Sequence, residues 1–352
     1  MRVCIIGHTE RNYLPYMEKY VQFLKRHGVE YDIVCWQREE RPRAGSLDYY
    51  EKVKPGVFNK IASYRRFKRH VVRILEKNRY DKLIVLTTMP AIFLRKVLFE
   101  NYKGKYLFDF RDYSFERFPL YRRIVDRLIG NSGLTTISSL GFMEFLSPND
   151  KIIMNHNFTN HEPAEFMPDL RQKQVINIGF IGGVRYYDEN TFLIEQLKNT
   201  FRYQLWYIGQ PHPDCDLPGY CAQNEVTNVS FVGKYDNSQK PELYKSIDII
   251  NSIYGDDSLE VTTALPNRLY EACLFKKPII SSKGTYLGQI IEQYHLGLSI
   301  DVEQDDVRKI LDDYIDNFDR EAFLEGCRRF LNVIKADELR LQEALAQFIL
   351  EK

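Results

Sequence analysis

The stretch Leu265-Pro266-Asn267-Arg268-Leu269-Tyr270-Glu271 sets a guanidinium and a carboxylate three residues apart, just after a proline. Proline suits the first turn of a helix, where its missing N–H would have no partner anyway. Free N–H groups at a helix start, joined by an arginine, make an anion site. A carboxylate one turn further on can accept a pair of hydrogen bonds from a ribose diol. The pattern predicts Arg268 and Glu271 on an exposed first turn, facing a phosphate-bearing nucleoside. A second cluster is Ile181-Gly182-Gly183-Val184-Arg185, where paired glycines after an apolar run let a ligand approach the backbone closely. A third is Asp109-Phe110-Arg111-Asp112, with charges packed at a strand exit. These charges either face a ligand or form an internal Arg–Asp pair that fixes the loop. His8 and Glu10 are titratable and follow the first strand, but read more simply as ordinary polar loop residues.

The elements that must hold these groups are legible from hydrophobic periodicity. Leu269, Ala272 and Cys273 share one helical face, Lys276 and Lys277 suit the negative helix end, and Pro278 blocks continuation. Ile279 and Ile280 then open a short buried strand. At the other end of the chain, a strand over 2–6, a helix over 13–27 and a strand over 31–36 form a β-loop-α-β opening. Further strands are predicted over 82–87, 105–110, 134–137, 175–181, 203–208, 229–232 and 247–253, with helices over 61–77 and 90–99. Residues 159–174 are polar, contain Pro163 and Pro168 and lack a period, which marks a linker. Two doubly wound α/β domains follow, 1–165 and 166–335. The largely helical 305–350 carries an apolar stripe through Leu324, Phe330, Leu341, Leu345 and Phe348.

Composition narrows the class. With 352 residues, 44% of them hydrophobic, the chain can bury two cores. A formal net charge of +1 gives no global attraction to nucleic acid. The six cysteines are scattered with no CxxC pair, so neither a disulfide frame nor a zinc site is expected, and a reduced, cytoplasmic setting is. The opening residues read as a strand rather than a signal peptide, and no apolar run is long enough to span a bilayer. The helix over 61–77 carries Arg65, Arg66, Lys68, Arg69, Arg73 and Lys77, with Tyr64 and Phe67 among them. It is either a solvated face or a membrane-surface contact.

Pro266, Arg268, Glu271, Pro278, Ile279 and Ile280 match, in order, Pro-x-Lys/Arg-x-x-Glu followed by Pro-Val-Ile. This run resembles the donor-binding segment of retaining GT-B glycosyltransferases of the group 1 (family 4) type, which use nucleotide sugars. The Asp-x-Arg-Asp run ending at Asp112 and the order of elements after 175 are similar to that family as well. The resemblance implies a GT-B fold, two Rossmann-like domains facing across a cleft, with a last helix (336–352) crossing back to the first domain. It implies metal-independent hexosyl transfer with no cofactor beyond the nucleotide sugar, which is the substrate. Donor contacts would be Gly182, Gly183, Arg185, Lys234, Leu265, Asn267, Arg268 and Glu271, Lys234 lying near the nucleobase. The catalytic set would be Asp112 beside the acceptor hydroxyl, Arg111 near phosphate or sugar, and Arg185 and Arg268 on the diphosphate. The acceptor would be a glycan or lipid-linked glycan in capsular, exopolysaccharide or O-antigen assembly, with the enzyme peripheral on the inner membrane face.

Three departures qualify the match. The first loop keeps one glycine, Gly7. Tyr186, Tyr187 and Asp188 stand where a lysine often follows Arg185. Thr263 replaces a glutamate eight residues before Glu271, and Glu260 is out of register. A nucleotide-sugar epimerase on the same frame and a non-catalytic sugar-binding or scaffold subunit stay open as alternatives. So does a single-domain metal-dependent transferase using Asp214-Cys215-Asp216, although that triplet lies in a proline-rich loop.

Overall fold

Two six-stranded sheets, parallel throughout, organise the chain in the computed structural model, which describes residues 1–38, 45–158 and 169–351. The N-terminal strands are β1 (Arg2–Ile6), β2 (Glu30–Val34), β3 (Trp36–Gln37), β4 (Tyr49–Tyr50), β5 (Lys82–Leu86), β6 (Tyr106–Phe110), β7 (Leu134–Ile137) and β8 (Ile152–Met154). They form a sheet of order β2-β1-β5-β6-β7-β8, with β3 and β4 as a separate small pair. The later strands are β9 (Ile176–Ile181), β10 (Tyr203–Ile208), β11 (Val229–Val232), β12 (Ile249–Ser252), β13 (Ile279–Ser282) and β14 (Gly297–Ile300), in the order β11-β10-β9-β12-β13-β14. Central strands such as β6 are buried along their whole length, as expected where helices cover both faces.

The chain divides into two compact units, 1–156 with 336–352, and 157–335. The domain boundary expected at 165/166 and most of the polar linker fall on 159–168, outside the described residues. Just after them, Leu170–Gln172 makes a short 3-10 turn whose Leu170 is buried in the second core. The final helix is continuous from Arg320 to Leu350. Its Leu341, Leu345, Phe348 and Ile349 join Val3, Ile5 and Leu107 in the first unit's core. Burial of each of these side chains contributes about 1.5–3 kcal/mol.

Several elements differ from the sequence reading. Helices Pro119–Asn131, Leu217–Gln223 and Leu259–Thr263 were not anticipated. The expected helix over 13–27 is a 3-10 turn, Arg11–Tyr13, then a helix, Met17–Arg26, with Pro15 between them. The basic helix is Val57–Asn78, four residues longer at its start, and its Tyr64 and Phe67 are buried rather than interleaved with the exposed cations. Arg66 bonds Glu51 through Nε at 2.8 Å and Nη2 at 2.5 Å. Among the described residues, no helix is long and apolar enough to cross a membrane.

Candidate functional site

In a doubly wound sheet, ligands bind outside the carboxyl ends of the two neighbouring strands where the chain order reverses. In the second unit those strands are β9 and β12. Arg268 bridges their ends. Its Nε donates to the Ile181 carbonyl at 2.7 Å, and its Nη1 to the Tyr254 hydroxyl at 2.5 Å. The guanidinium carbon lies 3.6 Å above the Phe180 ring centroid, a cation–π contact at a desolvated position. The arginine is 5% exposed.

Arg268 therefore lies under the turn rather than on an open one, and the expectation of an exposed first turn is corrected. The helix runs Asn267–Leu274, with Pro266 in extended geometry just before it and Asn267 exposed. Leu269 and Ala272 are fixed in the core, which turns Arg268 toward the strand ends. Leu265 is likewise a core residue. Gly182 is a position that needs glycine. Its φ of +141° is left-handed, and a Cβ at this position would lie 2.8 Å from Arg268 Nη2. The Nη2 edge of the guanidinium thus lies against the Gly182 backbone.

Arg185 is exposed on the turn that follows Gly183. Buried Asn190 secures that turn, donating through Nδ2 to the carbonyls of Arg185 at 2.8 Å and Tyr186 at 2.7 Å. Tyr186 sits at φ 62°, ψ 66°, and its ring stacks on Tyr254 at 4.5 Å. Burial pushes the Tyr186 phenol up to about 12. Lys234 is exposed beyond the end of β11.

Glu271, one turn after Arg268, is only 3% exposed. Oε1 accepts from Lys240 Nζ and Oε2 from the Tyr244 hydroxyl, each at 2.5 Å. Like Arg268, it is not on an open surface. A buried carboxylate must be paired, and Lys240 and Tyr244 pair it. Thr263, at the position of the missing glutamate, is buried and donates back to the Leu259 carbonyl. Asp216 caps the helix Leu217–Gln223, accepting from Gly219 N at 3.0 Å.

In the first unit the corresponding neighbours are β1 and β5. His8 follows β1 and Thr87 follows β5, with His8 Nδ1 and Thr87 Oγ1 3.0 Å apart. Burial, with Arg38 and Lys60 nearby, pushes the imidazole down to about 4, so it is neutral near pH 7. Gly7 is a packing glycine, since a Cβ there would meet Leu14 Cδ1 at 2.5 Å. After β6, Asp112 is exposed whereas Arg111 is 4% exposed. Arg111 Nε donates to Asp109 Oδ1 at 2.9 Å and Nη1 to the Asn155 carbonyl at 3.1 Å, with the guanidinium 4.2 Å over Tyr16.

No family model and no curated protein matches the chain. Solved structures do. Sucrose-phosphate synthase from Thermosynechococcus elongatus matches at a TM-score of 0.73 and 13% identity, covering 100% of both chains. Anabaena HepE in complex with UDP and glucose matches at 0.69 and 12%, covering 99% of this chain and 100% of its own. The lipopolysaccharide outer core galactosyltransferase WaaB, in its apo form, matches at 0.65 and 13%, covering 99% of each. This chain has the GT-B fold. Within that fold the features the sequence motif did not signal are Phe180, Tyr254, Asn190, Lys240 and Tyr244. Tyr254 and Asn190 were legible only as a residue after a strand and a polar residue in a helix.

Proposed function

We propose that this chain is a retaining GT-B glycosyltransferase that moves a hexosyl unit from a nucleotide sugar to an acceptor hydroxyl. The observation that carries this reading is Arg268 bridging the ends of β9 and β12 beside the bare backbone of Gly182. Similarity to HepE, whose complex contains UDP and glucose, supports a nucleotide-sugar donor. In the reaction the bond from the sugar's anomeric carbon to the diphosphate oxygen breaks, and the bond to the acceptor oxygen forms on the same face. The acceptor's proton passes to the departing phosphate oxygen. Charge gathers on that diphosphate, and fixed donors aimed at developing charge are the largest source of acceleration in such steps. Arg268 and Arg185 supply them here, so this reading assigns no metal. Asp112 orients the acceptor hydroxyl, and Lys234 lies toward the nucleobase.

The acceptor in this reading is a lipid-linked glycan of a surface polysaccharide, met at the cytoplasmic face of a membrane. WaaB, a lipopolysaccharide glycosyltransferase of the same fold, supports the acceptor class. Exposed apolar residues in the first unit support membrane contact: Val57 (71%), Phe58 (89%), Phe118 (50%) and Leu120 (74%). Exposed Lys60, Arg65, Arg117, Arg122 and Arg123 neighbour them in sequence. Apolar side chains mixed with cations suit an anionic leaflet, each nearby cation adding about 1 kcal/mol. A thermal-shift panel of nucleotide sugars tests the donor, followed by NMR assignment of the product's anomeric configuration. No stabilisation by any nucleotide sugar, or an inverted product, would overturn the proposal.

A further inference from the structure

Resting on the nucleotide-sugar reading, we infer that the ribose diol is read by a mixed pair, Lys240 donating and one oxygen of Glu271 accepting, and not by both carboxylate oxygens. The two oxygens of Glu271 are not equivalent. Oε2 faces Tyr244, which is fully buried and stacked on Phe275 at 4.5 Å and 12°. Burial and the adjacent carboxylate hold the Tyr244 phenol well above its ordinary range, so it stays a donor to Oε2. That oxygen is committed on its inner side. Oε1 faces Lys240, whose side chain is 13% exposed against 3% for Glu271. Lys240 is thus the more exposed member of the pair.

Lys240 is placed there by its own local structure. It opens the helix Lys240–Ser246, directly after a capping box between Asp236 and Gln239. An ammonium has three donors, and one is spent on Glu271 at 2.5 Å. A vicinal diol both donates and accepts. One hydroxyl donates to the remaining lone pair of Oε1, and its neighbour accepts from Lys240. Both meet their partners without breaking the ion pair.

A deoxyribose leaves one charged partner unmet, and such a loss weakens binding about tenfold or more. The full-length protein is titrated calorimetrically with UDP, GDP and ADP, then with the 2′-deoxy and 3′-deoxy forms of the tightest. Wild type should prefer the ribose form about tenfold or more, and Lys240→Met should shrink that preference to within about twofold. Because Lys240→Met leaves a buried carboxylate alone, Lys240→Met/Glu271→Gln is tested beside it, with melting curves to confirm folding. The double variant should lose the preference too. Equal weakening of ribo and deoxy forms by Lys240→Met would overturn the inference and leave Lys240 a structural counter-ion. So would a preference abolished by Glu271→Gln but kept by Lys240→Met. If wild type binds none of the three diphosphates, the nucleotide-sugar reading itself fails.

Discussion

Replacing Arg268 by lysine keeps the charge and removes the plane. The native guanidinium is held at two edges, on the Ile181 carbonyl and the Tyr254 hydroxyl, while its face lies on Phe180. A lysine can lie over Phe180 but cannot meet both edges and still present a third toward Gly182. Each lost hydrogen bond from a charged donor is worth about 1.5–3 kcal/mol. Part of that returns through the mobility of the ammonium, so the fold should lose about 1–2 kcal/mol. Turnover should suffer more. Removing one fixed donor from a developing anion typically costs about 10²–10³ in rate. Arg268→Lys is therefore expected to lower kcat by about a hundredfold while nucleoside diphosphate affinity changes by less than about fivefold. The assay is nucleotide release from the donor found by thermal shift, beside calorimetric binding of the free diphosphate. If kcat/KM and diphosphate affinity fall by the same factor, Arg268 gives only uniform binding, and the assignment to the leaving group is wrong.

Four further outcomes are expected. Gly182→Ala forces a Cβ into a left-handed backbone at 2.8 Å from Arg268 Nη2. It should cost about 1–3 kcal/mol in urea unfolding and weaken diphosphate binding, although no ligand-contacting side chain was altered. Arg111→Met strands the buried Asp109 carboxylate and should destabilise by about 3–5 kcal/mol. Asp112→Asn, on an exposed residue, should leave the melting temperature in place and lower turnover, and the reverse pattern would exchange their roles. His8 has its pKa lowered to about 4, so the unfolded chain binds more protons between there and the ordinary His value. Stability should therefore rise with pH across about 4 to 6.5, by at most about 3 kcal/mol from this group. His156, also lowered by burial, adds in the same direction. The slope difference between wild type and His8→Gln isolates the His8 share, and identical slopes would refute its buried neutral state.

How far the sequence could be read depended on whether a residue's neighbours were local. Helix Asn267–Leu274 and strand Ile279–Ser282 were visible because apolar spacing, Pro266 and Pro278 mark their ends within one stretch. Helix Pro119–Asn131 was overlooked although Val125, Leu128 and Ile129 share a face, because exposed Leu120 and three arginines blur its apolar stripe. Arg268 and Glu271 were found, but their burial was not foreseen. It is set by Phe180, Tyr254, Lys240 and Tyr244, which come from three other segments. The same holds for Arg111, where the sequence left a ligand contact and an internal pair both open. Its closest carboxylate is two residues away, but Asn155 and Tyr16 are distant in sequence, and they close the arginine off.

Backbone strain gives an independent reason to look at the strand exits. Seven non-glycine residues with positive φ occur among the described residues. Arg79 and His295 close helices, where a left-handed residue is ordinary. Thr87 and Tyr186 instead stand at helix beginnings, after β5 and β9 respectively. Thr87, at φ 71° and ψ 165°, is β-branched in a region that glycine normally occupies, at a cost of about 1–3 kcal/mol. Its amide bonds the Asp109 carbonyl at 2.8 Å and its hydroxyl meets His8, so neighbouring strands hold it there. Tyr186 is held by Asn190 and by its stack on Tyr254. Each strained residue therefore lies at its own sheet's reversal point, tied to a side chain that follows the neighbouring strand. Relaxing either to an ordinary backbone would improve local stability and move His8 or the Arg185 turn. Thr87→Gly is thus expected to relieve this strain while losing the hydroxyl contact to His8, and a variant that melts lower than wild type in thermal unfolding would refute the strain.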